Sequence, residues 1–347
     1  MRDEKTVFVL GAGASCPYGY PSGARLRELI CFDGGFWSDY SDYLRRNNIK
    51  EEKPGEVNRF RKIFKDANIK SIDVFMANNP KLAPIGKYII AYEVFRAERN
   101  SCFGEEAKRI QEEEKRAMDS DSRYRRDLIR GTPEFQGGDW YSYLYNRLIE
   151  GLVGKNALPD FSNGNLAFIT FNYDRSLEHF LYESFRNSFT EVPESQVIQC
   201  LKKLKILHVY GQIAPLKWQD CNEGMDYRPQ ISESLLGRVS SNIRTIYEEK
   251  QNPELMEAQN LPKQAKQIFF LGFGYAPENM DVLGLPGLIP QTCWVYGTAF
   301  GANDKEVKRI RNRIIEGLRT DPPSVKVENR IVIESTDCLD LLRNYLD

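Results

Sequence analysis

Asn172 and His208 are polar residues that stand where short apolar runs end, and their side chains could take part in chemistry. Asn172 lies in the stretch 170–174 (Thr-Phe-Asn-Tyr-Asp), and His208 begins the stretch 208–211 (His-Val-Tyr-Gly). A histidine can accept a proton near neutral pH, and an asparagine amide can orient a ligand through its carbonyl oxygen and its NH2 group. Together they could hold a substrate and supply an oriented nucleophile.

Each of these residues also has a structural interpretation. Asn172 or Asp174 could cap a helix that starts at Arg175, and such a cap does not prevent Asn172 from contacting a ligand. The chain has two histidines, and the other one, His179, lies inside a predicted helix, where packing or solvent exposure is expected. A lone histidine is more often structural than catalytic, but His208 lies at a strand end and a glycine follows, so a functional and a structural role both stay open.

A glycine-containing loop follows the first apolar run, with the sequence Gly11-Ala12-Gly13-Ala14-Ser15. Glycines permit a tight turn and a close approach of the backbone to a phosphate, and the amides of a following helix then point toward the anion. The hydroxyl of Ser15 could add a donor. Cys16 replaces the third glycine of the dinucleotide-binding fingerprint, so a tight turn without a ligand is the alternative.

Small or polar residues follow two later apolar runs as well. Leu271-Gly272-Phe273-Gly274-Tyr275 ends the fourth run, and Tyr296-Gly297-Thr298 ends the fifth. Glycines at these places again allow a ligand to approach the backbone. The order of small or polar residues at five strand ends is more specific than any one of the motifs.

The elements that must position these residues are predicted from the apolar runs. Short β-branched runs predict six buried strands, at 6–10, 166–171, 204–209, 267–271, 293–296 and 330–333. Helical patterns follow at 177–185, 304–318 and 336–346. Strands alternating with helices indicate an α/β fold, a Rossmann-like, doubly wound parallel sheet whose strands bind ligands at their carboxyl ends.

Residues 36–157 differ from this pattern, and we predict a large helical insertion within one domain that spans 1–347. The helical signals in it are an N-cap at Ser71 and apolar faces at 85–97 and 139–152. Residues 105–130 are densely charged with both signs, which is typical of a solvated helix. A second irregular region covers about 212–262.

The composition restricts the class of protein. The 347 residues carry a formal net charge of −1, so no overall basic field indicates nucleic-acid binding. Nucleic-acid contact through a local patch is the alternative. No apolar run approaches the roughly 20 residues that span a bilayer, and the charged N-terminus does not resemble a signal peptide. Seven scattered cysteines without a Cys-x-x-Cys pair argue against a disulfide framework and a zinc ribbon. We expect a soluble cytoplasmic protein.

The order of these motifs resembles the sirtuin-like superfamily, and within it the bacterial sirtuin-like effectors of antiphage defence that consume NAD⁺. The resemblance covers roughly residues 6–30 and 166–345. It rests on Gly11–Ser15, Pro21, Arg25, Asn172-Tyr173-Asp174, His208, Gly211 and Gly272-Phe273-Gly274. Residues 36–157 match the family only in being a helical insertion.

The resemblance implies a role in NAD⁺ binding for each matching position. The Gly11–Ser15 loop would cradle the pyrophosphate, and Asn172 would hold the nicotinamide ribose and a reacting water. Asp174 would face the nicotinamide amide, and His208 would contact the ribose and act as general base. The remaining NAD⁺-binding positions are Arg25, Gly211, Gly272, Gly274, Gly297 and Thr298, of which Gly272 and the last two would line the adenosine half.

Two departures from the protein-deacylating sirtuins affect the expected activity. The chain lacks their four-cysteine zinc module, and residues 19–25 are one residue longer before the arginine. The resemblance therefore implies an NAD⁺ glycohydrolase that releases nicotinamide and ADP-ribose as an antiviral, abortive-infection effector. No metal is needed, because pyridinium leaves readily from an oxocarbenium-like centre. The alternatives are an NAD-dependent protein deacylase and a DNA-handling subunit of an ATPase complex that binds nucleotide as a regulator.

The resemblance also implies partners, since relatives are often encoded beside a HerA-type hexameric ATPase or an Argonaute-like protein. We expect a complex with such an ATPase and homo-oligomers that form through the helical insertion. Both ends of residues 36–157 lie next to site motifs, so the insertion could cover the pocket and restrain activity. A passive cap is the alternative.

Overall fold

The computed structural model describes residues 4–32, 54–101, 138–152, 154–155, 157–245, 248, 253–318 and 325–346. The charged stretch 105–130 and the first part of the insertion, 36–53, lie outside the described residues. The expected solvated helix at 105–130 therefore stays a prediction.

A six-stranded, fully parallel sheet forms the centre of the protein, in the order β3-β2-β1-β4-β5-β6. Its strands are β1 Thr6–Leu10, β2 Leu166–Thr170, β3 Lys205–His208, β4 Gln267–Leu271, β5 Trp294–Thr298 and β6 Ile331–Glu334. This confirms the predicted Rossmann-like α/β fold. The strand order reverses beside β1, so the loops after β1 and β4 meet at the crevice where such sheets bind ligands.

Helices cover both faces of the sheet. In chain order they are α1 Gly23–Phe32, α2 Pro54–Ala67, α3 Ile72–Asn78, α4 Ala83–Asn100, α5 Trp140–Ile149, α6 Ser176–Ser188, α7 Glu194–Leu201, α8 Glu233–Ser240, α9 Pro253–Asn260, α10 Pro277–Val282, α11 Asp304–Gly317, α12 Val325–Glu328 and α13 Cys338–Tyr345. The helices predicted at 177–185, 304–318 and 336–346 are confirmed with end shifts of at most three residues. Within the described ranges, no helix is long and apolar enough to cross a membrane.

One face of the sheet carries a row of stacked aromatic rings. Phe8 on β1 lies in register between Phe168 on β2 and Phe269 on β4, with ring centroids 5.1 and 5.2 Å away. Phe269 in turn stacks on Tyr296 of β5 at 4.9 Å. Cross-strand aromatic pairs of this kind stabilise a sheet and specify its register. The opposite face carries mostly aliphatic side chains and packs under α9, α10 and α11.

The described part of the insertion packs on the aromatic face of the sheet. Phe60 of α2, Phe95 of α4 and Trp140 of α5 are fully buried in the same hydrophobic core as Phe8. The predicted cap is confirmed, because the Ser71 side chain accepts a hydrogen bond from a first-turn amide of α3. The described insertion helices therefore share one hydrophobic core with this face of the sheet.

Candidate active site

The glycine loop after β1 is shaped by contact with the loop after β4. A Cβ atom at Gly11 would lie 2.5 Å from Gly272 O, and one at Gly13 would lie 2.8 Å from Gly272 Cα. Gly272 itself has φ +56, and a Cβ there would lie 2.0 Å from Ala14 N. Only glycine fits where backbone touches backbone so closely. The three glycines thus join two loops at the crevice of the sheet.

The amides of this loop are mostly used inside the protein. Gly11 N donates to Leu271 O (3.0 Å) and Gly13 N to Gly272 O (3.0 Å), while Ala14 N and Ser15 N donate to oxygens within the loop. Four of the five amides in Gly11–Ser15 therefore have backbone acceptors. The geometry is that of a tight turn, and phosphate binding by these amides stays a prediction.

Asn172 follows β2 by two residues and reaches across to the glycine loop. Its Nδ2 donates to Gly11 O and to Ser15 Oγ, both at 3.0 Å, and its backbone N donates to Thr170 Oγ1. The other amide atom, Oδ1, is buried and has no hydrogen-bond partner among the described residues. The side chain is 8 % exposed, so the donors of the amide are fixed while its acceptor is left for a further group.

Asp174 completes a hydrogen-bonded chain with Asn172 through Ser15. Ser15 Oγ accepts from Asn172 Nδ2 and donates to Asp174 Oδ2 at 2.9 Å. The second oxygen, Oδ1, accepts from the backbone N of Ser176 (3.0 Å) and from its hydroxyl. Asp174 therefore binds the amide of the first residue of α6, but the N-cap position itself is Arg175, so the predicted cap at Asp174 is displaced by one residue. Burial of the carboxyl raises the pKa of Asp174 above its ordinary value.

His208 is the last residue of β3, and both of its ring nitrogens have partners. Nδ1 lies 2.9 Å from the backbone O of Asn172, and Nε2 lies 2.7 Å from Glu178 Oε1. Since a carbonyl oxygen can only accept, Nδ1 carries a hydrogen. Burial opposes the charged imidazolium, but the Glu178 carboxylate, the Asn172 carbonyl and Asp174 together outweigh burial and raise the pKa of His208. Glu178 and His208 therefore form a buried pair that holds a proton.

Glu178 and Gln212 are site residues that the sequence analysis missed. Gln212 Nε2 donates to Glu178 Oε1 at 2.8 Å and lies 3.1 Å from His208 Nε2, because both donors share one acceptor. Glu178 lies in the first turn of α6, four residues after Asp174 in the sequence. That spacing was the available signal, but α6 and β3 had to be packed together before it could be interpreted.

Four other predicted positions, Thr298, Gly211, Gly297 and Gly274, lie in the loops and strands around this cluster. Thr298 Oγ1 accepts from Gly272 N at 2.8 Å, so β5 supports the loop after β4. At Gly211, with φ +80, a Cβ would lie 2.0 Å from a backbone oxygen, and at Gly297 one would lie 2.0 Å from the Tyr275 hydroxyl. These two glycines therefore make room for neighbouring protein atoms, whereas Gly274 has open space around its Cα.

Two further residues lie apart from the cluster. Arg25 is on α1, where its guanidinium pairs with Glu28 at 3.0 Å on the surface. In the described part of the chain it does not join the hydrogen-bonded cluster around Asn172. His179 stacks on the ring of Tyr227 with centroids 3.6 Å apart, which confirms that it packs.

Comparison with known proteins adds nothing to this geometry, since no protein-family model and no curated protein matches the chain. Among the residues that the structure describes, no group of three or more His, Cys, Asp or Glu side chains is placed to hold a metal ion. The site is therefore interpreted from its own residues, which are Ser15, Asn172, Asp174, Glu178, His208 and Gln212.

Proposed function

We propose that this protein is an NAD⁺ glycohydrolase that cleaves the nicotinamide–ribose bond and releases nicotinamide and ADP-ribose. The unpartnered Oδ1 of Asn172 carries the proposal. A buried carbonyl oxygen without a donor costs about 1–3 kcal/mol, so this atom should be satisfied by a hydroxyl or water that comes with the ligand. The ribose of NAD⁺ and the attacking water both supply such donors.

The reaction needs a fixed ribose and one oriented water. As the nicotinamide leaves with the electrons of the broken bond, the ribose carbon becomes electron-poor and the water oxygen bonds to it. Asn172 Oδ1 accepts a hydrogen bond from the water or from a ribose hydroxyl and so sets its position. The balance is NAD⁺ plus water giving nicotinamide, ADP-ribose and one proton.

The Glu178–His208 pair is the proposed acceptor of that proton. Both nitrogens of His208 are engaged, so the proton enters the pair on the side of the Glu178 carboxylate. At a pH above the raised pKa of His208, the pair has released its resting proton to solvent, and it can then take the proton of the water and hold it between Glu178 Oε1 and His208 Nε2. The raised pKa of His208 favours this final state.

Nicotinamide release from NAD⁺ tests the assignment directly. We expect His208→Ala and Asn172→Ala each to abolish the product seen by chromatography, with circular dichroism unchanged. His179→Phe, which keeps the aromatic ring stacked on Tyr227, is the matched histidine control and should retain turnover. Full turnover in both site variants would refute the assignment. An acyl-peptide arm that gave NAD⁺-dependent peptide product without free ADP-ribose would favour a deacylase.

We also propose that the protein acts in the cytoplasm as an antiviral effector, assembles into homo-oligomers and binds a HerA-type ATPase. In this proposal the lone chain hydrolyses NAD⁺ slowly, and partner binding accelerates it. Light scattering at micromolar concentration, with and without the product of the neighbouring gene, tests the assembly. A monomer in both samples would contradict it, and a lone chain that is already fully active would contradict the restraint of activity.

A further inference from the structure

Residues 172–175, which we call the site segment, alternate in what they contact. Asn172 and Asp174 both bond to Ser15 of the loop after β1. Tyr173 and Arg175 point the other way and bond to side chains of the helical insertion. Because the four residues share one short stretch of backbone between β2 and α6, a displacement of Tyr173 or Arg175 would also move Asn172 and Asp174.

Tyr173 is held by the start of α3. Its hydroxyl donates to Oδ1 of Asp73 at 2.5 Å, and Asp73 lies in the first turn of α3. The backbone O of Tyr173 accepts from Ile213 N at 3.0 Å, so the peptide is fixed from a second side. The Tyr173 ring is therefore tied to the insertion at its far end.

Arg175 is held by the end of α4 through a two-pronged ion pair. Arg175 Nε donates to Glu98 Oε2 at 3.0 Å and Nη2 donates to Glu98 Oε1 at 2.9 Å, with both side chains fully buried. The remaining donors of the guanidinium bind the backbone oxygens of Pro215, Met225 and Asp226. A bidentate pair of this kind sets the orientation of the Arg175 guanidinium as well as its distance from the Glu98 carboxylate.

We infer that Asp73 and Glu98 are positioning residues, by which the insertion sets the orientation of Asn172 and Asp174. Asp73 holds Tyr173, the residue before Asp174, and Glu98 holds Arg175, the residue after it. A displacement of about 1 Å at a reacting group can lower a rate about 100-fold, so loss of either contact should slow the chemistry more than the binding. The turnover part of this inference rests on the proposed NAD⁺ hydrolysis, whereas the effect on backbone order does not.

The first test uses Asp73, because it is only partly buried and its loss is less damaging to folding than loss of Glu98. We expect Asp73→Ala and Tyr173→Phe in the full chain to lower kcat about 10- to 100-fold while KM for NAD⁺ stays near wild type. Asp73→Asn keeps an acceptor for the Tyr173 hydroxyl and should restore most of the loss. Glu56→Ala is the matched control, since Glu56 is an exposed first-turn acid of α2.

The second test measures amide hydrogen exchange and needs no activity. In Asp73→Ala, exchange should quicken at Ser176, whose amide bonds to Asp174, and at Ile213, whose amide bonds to Tyr173 O. The amide of Gly13, which bonds to Gly272 O, should keep its rate and report that the loop after β1 is intact.

The two measurements separate the two proposals. If the wild-type chain with any partner fails to cleave NAD⁺ but exchange quickens in Asp73→Ala, the glycohydrolase assignment fails and the positioning role stands. Unchanged exchange at Ser176 and Ile213 overturns the positioning role, whatever the activity. Unchanged kcat in an active enzyme, with or without faster exchange, overturns it as well.

Discussion

Two buried acid–base pairs have one member each near the start of α6, Arg175 and Glu178, and they behave differently. Glu98 binds Arg175, and Glu178 binds His208. A guanidinium does not lose its proton in a protein, and the donors of Arg175 are occupied by one carboxylate and three backbone oxygens, so Arg175 is a fixed cation. His208 can lose its proton, and the unpartnered Asn172 Oδ1 belongs to the residue it contacts.

The comparison shows that burial alone does not decide whether an ion pair is structural or chemical. Both pairs are shielded from water, which strengthens the attraction and increases the cost of leaving either partner alone. The difference lies in the basic partner, because arginine offers five fixed donors and histidine offers a proton that can move. The first pair therefore suits the holding of a segment, and the second suits the transfer of a proton.

The largest expected effect is on the free energy of unfolding, at the Glu98–Arg175 pair. Glu98→Gln leaves the buried guanidinium of Arg175 facing a neutral amide, and the free energy of unfolding should fall by about 3–5 kcal/mol. Urea unfolding followed by circular dichroism measures it. A fall below about 1 kcal/mol, the range of an exposed pair, would show that Arg175 finds enough compensation in its three backbone oxygens.

The next effect is on turnover, at the titratable pair. Glu178→Gln keeps a hydrogen-bonding side chain but removes the charge that raises the pKa of His208. We expect turnover to fall about 100-fold, within the usual range for loss of acid–base catalysis. In the wild type, turnover should rise with pH through the raised pKa of His208, and in Glu178→Gln that rise should move to lower pH. An unshifted pH profile would contradict the coupling of the two residues.

The free energy of unfolding should fall as pH increases, whereas turnover should rise. The folded pKa of His208 is raised, so its contribution is fully present below the unfolded value of about 6.5 and is lost as pH increases through the folded value. Between these two pH values the folded state binds more protons than the unfolded state. The unfolding free energy should therefore decline there, by up to about 1.4 kcal/mol per pH unit, and His208→Gln should remove the decline.

The smallest effect is expected at a solvent-exposed ion pair. Arg25 and Glu28 lie 3.0 Å apart with side chains 42 % and 60 % exposed. Glu28→Gln should change the unfolding free energy by less than about 0.5 kcal/mol, since solvent screens such pairs. A loss comparable to that of Glu98→Gln would mean that the distance between the charged atoms, rather than their burial, sets how much these pairs contribute to the free energy of unfolding.

The sequence by itself determined the strands to within two residues and two of the helix starts, α3 after Ser71 and α11 at Asp304. The runs at 6–10 and 267–271 match β1 and β4 residue for residue, because a strand buried on both faces needs a short, continuous, β-branched or aromatic run. The cap at Ser71 is also a local property, since its side chain bonds to an amide three residues later. Asn172, Asp174 and His208 could be placed at one edge of the sheet because parallel strands share their carboxyl ends.

Only the tertiary structure decided which partners these residues have. Glu178 and His208 are 30 residues apart, and Glu98 and Arg175 are 77 apart, so no local spacing pairs them. The contact of Gly11 and Gly13 with Gly272 likewise depends on β1 and β4 being neighbours in the sheet. Hydrogen bonds and ion pairs act over a few ångströms in space, and the packing of α6 on β3 and of the insertion on the sheet determines which side chains come within that distance.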